Sequence, residues 1–242
     1  MAQKVMIASG KGGTGKSTAA SYISLELAFA GKKVLLVELD AGMRSIDVIC
    51  GVTGEAVFDL SDVLTGKCPV QKAAVKSPYS ENLSVITAPY KADMTGFDNY
   101  KSLVASADSD FDFIVTDTRA GLGVPFRTAC AVSDIGIIVV TPDVISVRDG
   151  RLVSDEIFDA GIPDIRLIIN KFSPETFKYS GLDDFDRIID DVCARLLGVI
   201  PMSAKIAASA IGGVQLGAND KEKIIFKAIA DRLLGREIQI LV

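Results

Sequence analysis

Short apolar runs alternate along this chain with longer stretches of helical periodicity. The clearest runs are Val5–Ala8, Val34–Val37, Leu83–Thr87, Phe113–Thr116, Ile135–Val140 and Ile165–Ile169, with a shorter one at Gly198–Ile200. Apolar without interruption, they read as strands covered on both faces. Helical periodicity marks Ser17–Ala30, closed by Gly31, and Ile145–Phe158, closed near Gly161; it recurs at Val57–Leu64, Leu182–Leu197 and Lys221–Leu234. Strands and helices in alternation predict an α/β fold, a mostly parallel twisted sheet with helices on both faces. No linker, repeat or low-complexity stretch interrupts the pattern, so residues 1–242 read as a single domain. In such sheets ligands bind at the carboxyl ends of the strands, which is where the chemistry is to be sought.

The residues after the first apolar run turn the question from fold to chemistry. Gly10-Lys11-Gly12-Gly13-Thr14-Gly15-Lys16-Ser17-Thr18 fits the phosphate-loop pattern G-x-x-x-x-G-K-[ST], read from Gly10 through Gly15 and Lys16 to Ser17. It stands between a predicted strand and a predicted helix, the context the motif requires. Its glycines let the backbone curl so that N–H groups converge on phosphate oxygens at a helix N-terminus. Lys16 is placed to reach the β- and γ-phosphates, and the Ser17 hydroxyl to hold Mg²⁺. The chain is therefore expected to bind a nucleoside triphosphate.

Two carboxylates stand at strand ends where such a site needs them. Asp40 follows the second strand, placed to orient water or Mg²⁺ near a γ-phosphate. The simpler alternative makes Asp40 a helix cap and Arg44 a surface charge. Asp117 closes the apolar run Phe113–Thr116, a Walker B arrangement that holds Mg²⁺ directly or through water. Gly121 and Gly123 leave the following loop free to move, as sensing a γ-phosphate requires.

Composition removes competing chemistries. Hydrophobic residues make up 49% of the 242, enough for a full core. Lys and Arg number 26 against 31 Asp and Glu, a net charge of −5, so no global basic field draws the chain to DNA. The absence of histidine excludes imidazole bases, histidine triads and histidine-ligated metals. Cys50, Cys68, Cys130 and Cys193 form no C-x-x-C and are expected to be buried small hydrophobes in a reducing compartment. The start lacks signal-peptide character, and no apolar run approaches the ~20 residues of a membrane span, so a cytoplasmic location is expected. The acidic cluster Asp183, Asp184, Asp186, Asp190 and Asp191 reads as a helix start and its solvated face, with a docking site for a basic partner as the alternative.

Lys11 adds a second lysine inside the loop, where a phosphate cradle needs no side chain. With it, K-G-G-T-G-K-S-T resembles the deviant Walker A of the MinD/ParA family, a form shared with nitrogenase iron protein and the arsenite-pump ATPase. The resemblance runs from residue 3 to about residue 236 and is closest to MinD-like members. Residues 38–47 are similar to that group's switch I, with Glu38 where aspartate is usual, a change expected to preserve charge, and Ser45 where asparagine is common. Asp117-Thr118-Arg119-Ala120-Gly121 is similar to D-x-P-A-G, with Arg119 in place of proline. Ser146-Val147-Arg148-Asp149 matches a run near the group's dimer surface, and equally fits an ordinary helix start capped by Ser146. Asn170-Lys171 closes a strand where the family reads adenine, and Val199-Ile200-Pro201 resembles the segment whose following loop covers the base. Residues 211–216 keep little of that loop's pattern.

The resemblance implies ATP and Mg²⁺ as cofactors and hydrolysis of ATP to ADP and phosphate. Its catalytic residues would be Lys16, Asp40 as the water-orienting carboxylate, and Lys11 acting across an ATP-dependent homodimer. It further implies a protein regulator and a role in spatial regulation, such as division-site placement. A DNA-segregation ATPase of the ParA kind, a flagellar or secretion-apparatus positioning ATPase, and an amidoligase-like enzyme are the alternatives. An iron-protein function is disfavoured because residues 117–123 lack cysteine, and iron–sulfur scaffolding because C-x-x-C is missing. MinD proteins usually hold membrane with a basic amphipathic helix. Residues 234–242 are apolar with one basic residue, Arg236, and are expected to form a core-packed terminus or a final strand. Peripheral contact with the inner face of the plasma membrane stays open.

Overall fold

Each predicted strand forms. Along the chain they are β1 (Gln3–Ala8), β2 (Val34–Glu38), β3 (Val75–Ser77), β4 (Ser80–Ile86), β5 (Phe113–Asp117), β6 (Ile135–Val140), β7 (Asp164–Phe172) and β8 (Arg195–Pro201). They pair as one eight-stranded sheet in the order β3-β4-β2-β5-β1-β6-β7-β8, parallel throughout except for the β3–β4 pair. The computed structural model describes residues 1–42, 44–91, 96–182 and 184–241.

The helices are α1 (Lys16–Phe29), α2 (Ser45–Ile49), α3 (Leu60–Leu64), α4 (Val70–Ala73), α5 (Tyr100–Ala107), α6 (Val124–Cys130), α7 (Val144–Asp159), α8 (Pro174–Phe177), α9 (Phe185–Val192), α10 (Ala204–Gly212) and α11 (Lys221–Leu233). Successive strand residues point to opposite faces, so each strand feeds two cores. Met6, Leu35, Val37, Ile138 and Val140 pack with Tyr100, Phe126, Val153 and Ile157 on one face. Val5, Ile7, Val34, Leu36, Ile137 and Val139 pack with Tyr22, Ile23, Leu27, Phe226 and Ile229 on the other. Tyr22 and Phe226 stack at 4.7 Å between ring centroids and join α1 to α11. β1 lies between β5 and β6, so the loop after it opens into the crevice where the strand order reverses.

Several expectations need correction. The helix expected over Leu182–Leu197 ends at Val192, because Cys193 takes a left-handed conformation (φ 59°) and the chain leaves as β8. Ladder pairing of Arg166 with Arg195 and Leu167 with Leu196 overrides the helix-forming character of 194–197. The helix expected from Val57 starts only at Leu60, where Asp59 and Asp62 form a reciprocal capping box. The cap of α7 is Asp143, whose carboxylate accepts from the Ser146 N–H at 2.9 Å; Ser146 Oγ instead accepts from the Thr141 N–H. Cys193 is exposed, unlike the three other cysteines. In the acidic cluster Asp184 caps α9, while Asp183 lies outside the described residues. Of the two forms expected for the segment after α11, its described residues form no strand: Arg232 holds the Ile238 and Gln239 carbonyls, and Ile240 packs against the core.

Candidate active site

The loop between β1 and α1 is shaped by close contacts that only glycine tolerates. Gly15 caps α1 at φ 87°, and a side chain there would collide with the Asn170 amide nitrogen. That nitrogen donates to the Thr14 carbonyl at 2.7 Å, locking the phosphate loop to the end of β7. Lys171, itself left-handed at φ 58°, adds a second tie by donating from Nζ to the Gly13 carbonyl at 2.7 Å. Nothing in the sequence signalled that lysine as part of the loop's scaffold.

Lys16 points into the sheet. Its side chain is 6% exposed and its Nζ lies 2.6 Å from Oδ1 of the fully buried Asp117. The other Asp117 oxygen, Oδ2, and the Thr14 hydroxyl are buried without a hydrogen-bond partner among the described residues. Residues 12–18 line a cavity of about 290 Å³ with Asp40, Ser45 and Ala120. The Asp117 carboxylate, with an unpaired oxygen, and the Ser17 hydroxyl are oxygen donors that fit a hard divalent cation, while the loop amides form a cradle that fits a phosphate chain. Burial raises the Asp40 carboxyl above the ordinary carboxylate range, against the pull of Lys16.

Glu38 departs from expectation. It keeps the carboxyl but not the charge: it is buried, and burial reinforced by the Asp117 charge pushes it up to about 8. Its two oxygens accept from the Ser45 N–H at 3.0 Å and the Ala88 N–H at 3.2 Å, anchoring the loop that carries Asp40. Arg44 is not a surface charge either. Only 8% exposed, it lies 3.3 Å from Asp47, donates to Thr87 Oγ1 at 2.9 Å and stacks on Tyr90. The adjoining residue 43 lies outside the described set.

Asn170 and Pro201 share the wall of a second cavity, about 410 Å³, with Gly15, Thr18 and the α10 residues Ile206 and Ala210. It adjoins the phosphate loop and is mainly apolar, as a planar base requires. The α10 wall could have been found in the sequence. Ser203 caps an apolar run, its hydroxyl accepting from the Lys205 and Ile206 N–H groups. Lys11 stands apart from both cavities. Its amine lies 3.5 Å from Asp143, 44% exposed, and it lines a third cavity of about 440 Å³ with Thr141 and Pro142.

A mostly parallel sheet whose central strand runs into a phosphate loop, faced by two aspartates at strand ends and carrying the second loop lysine Lys11, has the architecture of a P-loop ATPase of the deviant Walker A class. A family model described as AAA domain matches residues 2–154. The septum site-determining protein MinD of Synechocystis sp. is 34% identical over 98% of this chain and 91% of its own length. The MinC:MinD cell division protein complex of Aquifex aeolicus superposes with a TM-score of 0.90 at 30% identity, over 100% of this chain and 99% of that one. The Pyrococcus horikoshii MinD complexed with Mg-ADP gives 0.85 at 26% identity, over 96% of each chain. This chain belongs to the AAA domain family and, within it, to the MinD proteins.

Proposed function

We propose that this MinD-family ATPase binds Mg·ATP across the two adjoining cavities, closes on a second copy, and is reset by hydrolysis in the course of division-site placement. The observation that carries the reading is the convergence of Lys16, Ser17 and Asp40 on one cavity, with Asp117 held directly behind Lys16. The loop amides and Lys16 would cradle the β- and γ-phosphates; Asp117 and the Ser17 hydroxyl would hold the cation. A bound Mg²⁺ supplies charge neutralisation on those phosphate oxygens. Asp40 would orient the attacking water, and Asn170, with a second amide hydrogen and a free lone pair left over, would meet the edge of adenine above Pro201.

The position of Lys11 supports action on the phosphates of a partner copy, since its side chain is 44% exposed beside Asp143 and Lys11 does not line the cavity that holds Lys16 and Asp40. MinC appears with MinD in one solved relative and Mg-ADP in another, which supports a protein regulator and an adenine nucleotide here. Among the described residues no helix is long and apolar enough to cross a membrane.

Light-scattering mass of the chain and of Lys11→Ala, with ADP or Mg·ATP, tests the reading. The expected result is a dimer with Mg·ATP alone, lost in Lys11→Ala while ATP still binds. Equal dimer fractions in the two proteins would remove the role given to Lys11. Parallel runs with anionic vesicles and with DNA separate a membrane-bound switch from a segregation ATPase.

A further inference from the structure

We propose that Arg119 is a positioning residue for hydrolysis: its guanidinium holds the Asp40 carboxylate and couples the loop after β5 to the loop after β2. The inference rests on the ATPase reading above. Arg119 stands where the resembled D-x-P-A-G pattern has proline, so the pattern itself supplies no such cation. Its Nε lies 3.8 Å from Asp40 Oδ1. The backbone on both sides of Arg119 is tied to the end of β1. The Thr118 N–H and hydroxyl donate to the Ile7 carbonyl at 3.1 and 3.0 Å, and the Gly121 N–H donates to the Ser9 carbonyl at 2.8 Å.

Arg119 therefore swings from a fixed base, beside Ala120, which shares the phosphate cavity with Asp40. On the other side, the Leu39 N–H donates to the Asp117 carbonyl and the Gly42 N–H to the Pro89 carbonyl. These bonds fix Leu39 and Gly42, and leave the Asp40 carboxylate with the short stretch of backbone between them for Arg119 to restrain. Lys16, which also acts on Asp40, is committed to Asp117 at 2.6 Å. Arg119 supplies the restraint on the carboxylate from the solvent side. Its side chain is 62% exposed, so the restraint is screened and modest rather than a rigid clamp.

The test is a double-mutant cycle of Arg119→Ala and Asp40→Asn, with Arg119→Lys as the conservative variant and three readouts. Amide hydrogen exchange of residues 40 and 41, measured without nucleotide, is expected to quicken about two- to five-fold in Arg119→Ala and to recover in part in Arg119→Lys. Equilibrium affinity for fluorescent ATP relative to ADP is expected to stay at the parent value. Single-turnover hydrolysis is expected to fall by a similar factor in Arg119→Ala, with no further fall when Asp40→Asn is already present. Exchange at the parent rate overturns the proposal, as do losses that multiply in the double variant. A collapse of the ATP preference in Arg119→Ala also overturns it, because the guanidinium would then be a direct phosphate ligand. A parent chain that failed to hydrolyse ATP would instead undo the ATPase reading, while the exchange measurement would still report on the pair.

Discussion

Removing the amine of Lys16 separates what that residue does for the fold from what it does for a nucleotide. Lys16 and Asp117 face each other at 2.6 Å with side chains 6% and 0% exposed, so solvent screens the pair very little. Asp117 also pairs in register with Glu38 across the β2–β5 ladder, and its Oδ2 has no hydrogen-bond partner among the described residues. Lys16→Ala would leave a buried carboxylate uncompensated, which costs about 3–5 kcal/mol. At about 2–4 °C per kcal/mol for a chain of this size, its melting point is expected to fall by roughly 6–20 °C, besides the loss of nucleotide binding. Replacing both charges, Lys16→Met with Asp117→Leu, removes the stranded charge and is expected to recover most of that stability without restoring binding. Thermal melts and urea titrations without nucleotide, beside fluorescent-ATP titrations, give both axes. A single variant melting within about 2 °C of the parent would refute the reasoning, as would a double variant less stable than the single one.

Two further substitutions probe the frame around the site. Burial, opposed by Lys223 and Lys227, pushes the Glu26 carboxyl up from 4.5 to about 7. A raised native pKa means its contribution is complete below the unfolded value and is lost as pH climbs through about 7, an upper bound of about 3 kcal/mol. Glu26→Gln is therefore expected to match the parent at acid pH and exceed it by about 1–3 kcal/mol at pH 8 in urea unfolding; the reverse order would rule out burial as the dominant cause. Gly15→Ala adds left-handed strain and displaces Asn170 from the Thr14 carbonyl. Its cost is expected to be about 2–3 kcal/mol together with weakened nucleotide binding, and an unchanged urea midpoint would contradict the contact.

Local chemistry made the centre of the site legible in the sequence. At residues 5–30, hydrophobic pattern, glycine spacing and the lysine–hydroxyl pair all demand the same strand, loop and helix, so β1, the cradle and α1 fall where the pattern places them. Asp117 was legible for a similar reason, as the first charge after a run apolar on both faces. Residues whose roles depend on burial were not. Glu38 and Arg44 read as charges in a polar loop because nothing local reveals that the ends of β2 and β4 close over them. Arg195–Leu197 has good helix formers, and only the neighbouring β7 makes it a strand. Lys171 looks like any basic residue at a strand end until the phosphate loop folds back within reach of its amine.

The electrostatics of the sheet's centre explain why a glutamate can stand where the resembled pattern has aspartate. Two ionised, buried carboxylates side by side on β2 and β5, with one buried lysine paired to Asp117, would carry an unpaired buried charge. With Glu38 raised to about 8, the carboxyl is mostly neutral near pH 7, and the buried charges reduce to the single Lys16–Asp117 pair. The extra methylene then has a mechanical use, letting one side chain reach the backbone N–H groups of both Ser45 and Ala88. The loop bearing Asp40 is thereby fastened at its root by a neutral group, while its carboxylate meets the cations Lys16 and Arg119. Such an arrangement holds the loop without adding negative charge beside a phosphate-binding cavity, so the anchor does not oppose the anion the cradle is built to receive.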